Sequence, residues 1–155
     1  MSEQASQQQP TFQIEKIYVK DLSLEVPNAP QVFMQAESPQ LEVQVRNESM
    51  QFGDSMYEVT VSVTVTAKSG DKTMFLAEAA QAGIFTVRGV PESDMGPLLG
   101  IGCPTILYPY VREAISDLVS RGGFPPVLLA PVSFEAIYAQ RQQQEGGAPK
   151  IEVAH

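Results

Sequence analysis

The sequence predicts an α+β domain, a four-stranded antiparallel sheet with helices packed on one face. Two observations carry that expectation. Apolar residues recur with a strict period of two through the first half of the chain, and from about Pro104 onward the spacing changes to three and four. A turn signal, Ser69-Gly70-Asp71, separates two of the extended runs.

The domain is expected over residues 11–145, after a disordered N-terminus at 1–10 and before a flexible tail at 146–155 that opens on Gly146-Gly147. In the first strand Leu22, Leu24 and Val26 alternate with Asp21, Ser23 and Glu25, and in the second Leu41, Val43 and Val45 alternate with Glu42, Gln44 and Arg46. The third is the most regular. Tyr57, Val59, Val61, Val63 and Val65 fall on one side and Glu58, Thr60, Ser62, Thr64 and Thr66 on the other, as in a strand with one buried face. The fourth spans Thr73 to Val87, and short connections predict a meander of all four.

Beyond the sheet, Ile106, Tyr110, Ile115, Leu118 and Val119 mark a long amphipathic helix, with Pro104 near its first turn and Gly122-Gly123 past its last. Pro109 either kinks this helix or marks its start. A shorter helix follows Ser133 as N-cap, with Phe134, Ile137 and Tyr138 on one stripe. Leu98, Leu99, Leu107, Tyr108, Val111, Val127, Leu128 and Leu129 also seek burial, more than one helix face can hide. Oligomerisation or the binding of apolar chains is implied.

Composition narrows the function. A net charge of -8, from 18 acidic against 10 basic side chains, opposes nucleic-acid binding, which needs clustered Lys and Arg, and favours a basic protein partner. Cys103 is the single cysteine, so no intrachain disulfide or CxxC metal pair exists, and a reducing compartment fits. The polar start Ser2 to Pro10 has no signal-peptide character, and the apolar stretch Pro97 to Val111 is broken by Gly100, Gly102, Pro104 and Pro109. A cytoplasmic protein without membrane insertion is expected. The only histidine, His155, is the last residue, so neither Cys103 nor a serine has a base to activate it, and Gly96, Gly100 and Gly102 are followed by no Gly-Lys-Ser/Thr. No catalysis, metal or cofactor is expected.

The strings Phe12-Gln13-Ile14-Glu15-Lys16-Ile17-Tyr18-Val19-Lys20-Asp21-Leu22-Ser23-Leu24-Glu25-Val26-Pro27-Asn28-Ala29-Pro30 and Phe33 are followed in order by Tyr57-Glu58-Val59, Gly83-Ile84-Phe85, Cys103-Pro104, Pro109-Tyr110, Arg112-Glu113, Val119-Ser120-Arg121-Gly122, Phe124-Pro125 and Leu129-Ala130-Pro131-Val132. Across residues 11–139 this pattern resembles the SecB family of protein-export chaperones. Thr105 and Ser133 stand where that family commonly has Asn, and Ala80 and Ala82 make the fourth strand small.

The resemblance implies a holdase that keeps secretory precursors unfolded and passes them to the SecA ATPase. It further implies dimers assembling as a dimer of dimers, a homotetramer with the helices between two layers of sheet. Asp21, Glu25, Leu76 and Glu78 match the family's SecA contacts, and Ala77, Ala79 and Gln81 match positions that affect tetramer assembly. Period two places Asp21 with Glu25, and Leu76 with Glu78, on common faces. One exposed pair contributes only about 1 kcal/mol, so an acidic docking patch needs several charges. Capture of many unrelated precursors requires an aromatic and aliphatic groove. The candidates are Phe33, Met34, Leu107, Tyr108, Tyr110, Phe124, Val127 and Leu128. Two other functions compete: a related chaperone dedicated to one client such as an antitoxin, and a small thioester hydrolase using Cys103 or Glu113.

Overall fold

The computed structural model describes residues 9–35 and 37–145. The expected tail, and all of the expected N-terminus except Gln9 and Pro10, lie outside the described residues. Strands β1 (Thr11–Glu25), β2 (Gln40–Gly53), β3 (Met56–Ser69) and β4 (Lys72–Arg88) form one antiparallel sheet in the order β1-β4-β3-β2. The α+β architecture is as expected, but the meander covers only β2, β3 and β4. The first strand pairs with β4, because residues 26–39 are too long and proline-rich for a hairpin and instead cross the end of the sheet where β3 turns into β4. Asn28 Nδ2 donates to the Thr73 carbonyl at 2.8 Å, and Ser69 Oγ donates to Glu37 Oε2 at 2.9 Å, which pins this crossover at two points.

Two bulges shape β1. The register slips between Ile14 and Lys16 and again between Val19 and Asp21, leaving Glu15 and Lys20 as extra residues. Each slip resets the alternation, so Phe12 and Ile14, then Ile17 and Val19, then Leu22 and Leu24 pair with the residues of β4 that face the helices. Glu15 and Lys20 serve the opposite face, where Thr86 Oγ1 donates to Glu15 Oε1 and Lys20 Nζ donates to Glu58 Oε1.

After β4 the chain forms α1 (Glu92–Pro97), a wide π-helical turn (Leu98–Gly102), α2 (Cys103–Arg121) and α3 (Phe134–Glu145). Pro109 lies inside α2 and does not begin it. Ser133 Oγ accepts the Ala136 N–H at 3.1 Å and so caps α3 as expected. Among the described residues no helix is long and apolar enough to cross a membrane.

Helix α2 sits over β3 and β4. Its Leu107, Val111, Ile115 and Val119 meet Val59, Val61, Val63 and Val65, all without solvent exposure. The helices therefore find most of the burial they seek within one protomer. Uncovered apolar surface remains on the flanks of the same sheet face: Phe12, Ile14, Val19 and Leu22 on β1, and Leu41 and Val43 on β2, each 40–50% exposed. On the other face Tyr18 reaches across β4, over the small Ala82, to donate to Glu58, which Lys20 also contacts at 2.7 Å.

At Gly83 β4 leaves no room for a side chain beneath α2. A Cβ there would lie 2.8 Å from the Phe85 ring and 3.1 Å from Leu107 Cδ2, and neither neighbour has room to move. Gly83→Ala is expected to cost about 1–3 kcal/mol by overpacking, read as a lower urea midpoint at constant slope. The Lys20 and Tyr18 hydrogen bonds hold the Glu58 carboxyl below its usual range, while burial and the Glu58 bond push the Tyr18 hydroxyl up to about 12. The folded pKa of Glu58 is the lower one, so its stabilisation is present above the unfolded value of about 4.3 and is lost as pH falls through the folded value. Glu58→Gln should lower Tm at pH 7 and flatten its decline below about pH 5; parallel acid limbs for the two proteins would contradict this.

Candidate functional site

Beside the crossover lies an apolar groove of about 550 Å³, floored by Met74 and Phe75 and walled by Phe33, Phe124, Val127 and Leu128. A local slip in the β3–β4 register makes its floor: Ala67 pairs with Phe75 and Lys68 with Thr73, so Met74 is an extra residue and both it and Phe75 are buried. The Phe124 ring packs between Phe33 and Phe75, with centroids 5.2 Å and 4.9 Å away. Gly123 adopts a φ of +88°, which a side chain would disfavour, and a Cβ there would press on the Phe33 ring at 3.1 Å. The turn after α2 thus brings Phe124 onto the crossover. Val32 is buried beneath and fixes the crossover to the core.

Of the eight candidates for the apolar groove, Phe33, Phe124, Val127 and Leu128 line it, and Leu128 is 74% exposed. Met34 stands on the crossover at 87% exposure without lining the groove, and Tyr110 is exposed on α2. Leu107 and Tyr108 belong to the core. Leu107 packs over Gly83, while Tyr108 donates to the Ala130 carbonyl and meets the Phe134 ring edge-on, 5.8 Å away. Helical periodicity marked these two as apolar without showing that they face inward. Met74, Phe75, Leu41 and the pair Pro125-Pro126 were missed as lining residues. Strict alternation hides a slipped residue such as Met74, and Leu41 reads as an ordinary inward position.

On the opposite face β1 and β4 adjoin, with Ser23 opposite Glu78, Glu25 opposite Leu76 and Asp21 opposite Ala80. Asp21, Glu25, Leu76 and Glu78 therefore share one face of two neighbouring strands. Thr64 Oγ1 donates to Glu78 Oε1 at 3.2 Å, which orients that carboxylate from β3. Ala77, Ala79 and Gln81 face the other way and are buried under α2.

Cys103 is fully buried at the start of α2, and desolvation pushes its thiol up to about 12. It is a protonated core residue at neutral pH. No group of three or more His, Cys, Asp or Glu side chains suited to a metal occurs among the described residues.

The profile of the family described as preprotein translocase subunit SecB matches residues 5–145. A protein-export protein SecB from Methylobacillus flagellatus is 57% identical over 144 residues, covering 93% of this chain and 92% of its own. One from Chromobacterium violaceum is 57% identical over 148 residues, 96% of this chain and 98% of its own. One from Thiobacillus denitrificans is 58% identical over 144 residues, 91% and 95% of the two chains. Among solved structures, a SecB-like chaperone of Mycobacterium tuberculosis, in complex with a peptide from an antitoxin, superposes with a TM-score of 0.65 at 21% identity, over 78% of this chain and 90% of that one. That similarity concerns the fold. With four-strand topology, sequence pattern and close relatives in agreement, the chain belongs to the SecB family of protein-export chaperones.

Proposed function

We propose that this chaperone is a cytosolic, non-enzymatic holdase that binds unfolded secretory precursors in the groove between the crossover and the turn after α2, keeps them competent for translocation, and delivers them to SecA through the acidic outer face of β1 and β4. The observation that carries the reading is the groove itself. Aromatic and aliphatic walls beside a free strand, β2, offer apolar contacts and backbone partners to an extended chain without selecting one sequence. Burying one client side chain is worth about 1.5–3 kcal/mol before ordering costs, so a single groove binds weakly. Several grooves on one assembly, engaged by one unfolded chain, raise affinity through effective concentration.

Assembly as a dimer of dimers accounts for the uncovered flanks. A second copy at the free edge of β1 would cover the row Phe12, Ile14, Val19 and Leu22, and stacking two such dimers would enclose the helices. Ala77, Ala79 and Gln81 have no surface to offer a neighbour. Their effect on assembly would run through the seating of α2. For SecA, Glu25 opposite Leu76 and Glu78 beside it on β4, with Asp21 further along the same face opposite Ala80, form an acidic strip next to an apolar residue, which suits a basic partner and makes binding sensitive to salt. The patch also favours export over service to one dedicated client, which would have no use for it. A protonated, buried Cys103 supports the absence of thiol catalysis.

Leu128→Ser, at an exposed position, is expected to weaken the binding of an unfolded precursor about five-fold per site while light scattering still reports a tetramer; unchanged affinity in a normal tetramer would move the groove elsewhere. Glu78→Lys should weaken SecA binding in calorimetry, most at low salt, and leave precursor holding intact. Equal SecA affinities for the two proteins would refute the outer-face assignment.

A further inference from the structure

The bulge at Lys20 sets two side chains of opposite charge next to each other on the outer face of the sheet. In an uninterrupted strand Lys20 and Asp21 would point to opposite faces, but the register slips between Val19 and Asp21. Lys20 therefore joins the face that carries Asp21, Glu25, Leu76 and Glu78. A flexible cation adjoining Asp21 could neutralise the acidic strip from within, yet its ammonium is held elsewhere. Lys20 Nζ donates to Glu58 Oε1 at 2.7 Å, and Glu58 stands opposite Ile84, whereas Asp21 stands opposite Ala80. Those two rows are four positions apart along β4, roughly 13 Å.

The hold on the lysine is a built one. The Glu58 side chain is only 13% exposed, against 47% for Lys20, and the Tyr18 hydroxyl donates to its other oxygen, Oε2. Ala82, opposite Tyr18 and wholly buried, lets both donors pass over β4 to reach β3. Two charge-assisted hydrogen bonds thus converge on one carboxylate, and the ion pair cancels the charge of Lys20 at a distance from the strip.

From this geometry we propose, resting on the SecA reading above, that Glu58 is a positioning residue for docking: it draws the Lys20 ammonium away from Asp21 and so keeps the acidic strip open to the cations of a basic partner. Released from Glu58, Lys20 would swing toward Asp21 and compete with the partner for the same carboxylate. Glu58 acts on docking through Lys20, without touching the partner.

The test measures SecA binding to the full-length chain by calorimetry, at low and high salt and at a temperature where every variant is folded. Glu58→Gln should weaken binding about two- to five-fold at low salt, with a smaller loss at high salt. In a Lys20→Gln background the same change should cost almost nothing, because no cation remains to be released. In a Lys68→Gln background, where the removed cation lies opposite Thr73 and outside the Glu58 cluster, the full loss should remain. An equal loss in wild-type and Lys20→Gln backgrounds would overturn the proposal, assigning Glu58 to the sheet itself or to overall charge. No loss in either background, or a rescue that Lys68→Gln gives as well as Lys20→Gln, would overturn it too. Glu78→Lys separates the two readings. If it leaves SecA affinity unchanged, the outer face is not the docking site and Glu58 falls with it; if it weakens SecA binding, the strip stands and the Lys20 and Lys68 backgrounds decide the role of Glu58.

Discussion

The sheet is wider than the helix that covers it. One helix of the length of α2 can shield about two strands, and it shields β3 and β4, the strands that pair with each other at the centre. The edge strands carry the same apolar pattern as the centre, so their inward residues remain in contact with solvent. Three features follow from that mismatch. Apolar rows at the margins are open to other chains, the crossover and the turn after α2 fold over one corner, and the space they leave there is the groove.

The crossover illustrates how modest contacts fix a functional wall. Its described residues make no strand pairing and are held by Val32 in the core, by hydrogen bonds at Asn28 and Glu37, and by the Phe33 ring against Phe124. Each tie is worth of order 1 kcal/mol, and each end of the segment has its own. The wall is thus shaped by side chains that also form the groove. Positioning and recognition reside in the same residues.

Much of this was legible in the sequence because period two and period 3.6 are imposed by backbone geometry, and the runs in β3 and α2 are long enough to show them. Ser133 was legible as a cap for the same reason: an unsatisfied helix terminus selects a short polar side chain. Strand order was not. Alternation in β1 and β2 is the same whether they neighbour each other or not, and only the length of 26–39 spoke against a hairpin. Short α1 was missed because six residues, Glu92–Pro97, carry too little periodicity. Among the groove candidates, lining positions such as Phe33 and Leu128 were separable from core positions such as Leu107 and Tyr108 only after the turn beyond α2 had been placed.

The slips in β1 bear on how this strand can change in length. Elsewhere in a regular strand the loss of one residue transposes every later side chain to the wrong face. At Glu15 and Lys20 the ladder already skips a position, so excision of either would straighten the strand locally and leave Leu22, Leu24, Asp21 and Glu25 on the faces they now occupy. The first strand therefore carries two sites at which evolution can shorten the chain by one unit without scrambling what lies downstream, at the loss of a single polar bond to Thr86 or Glu58.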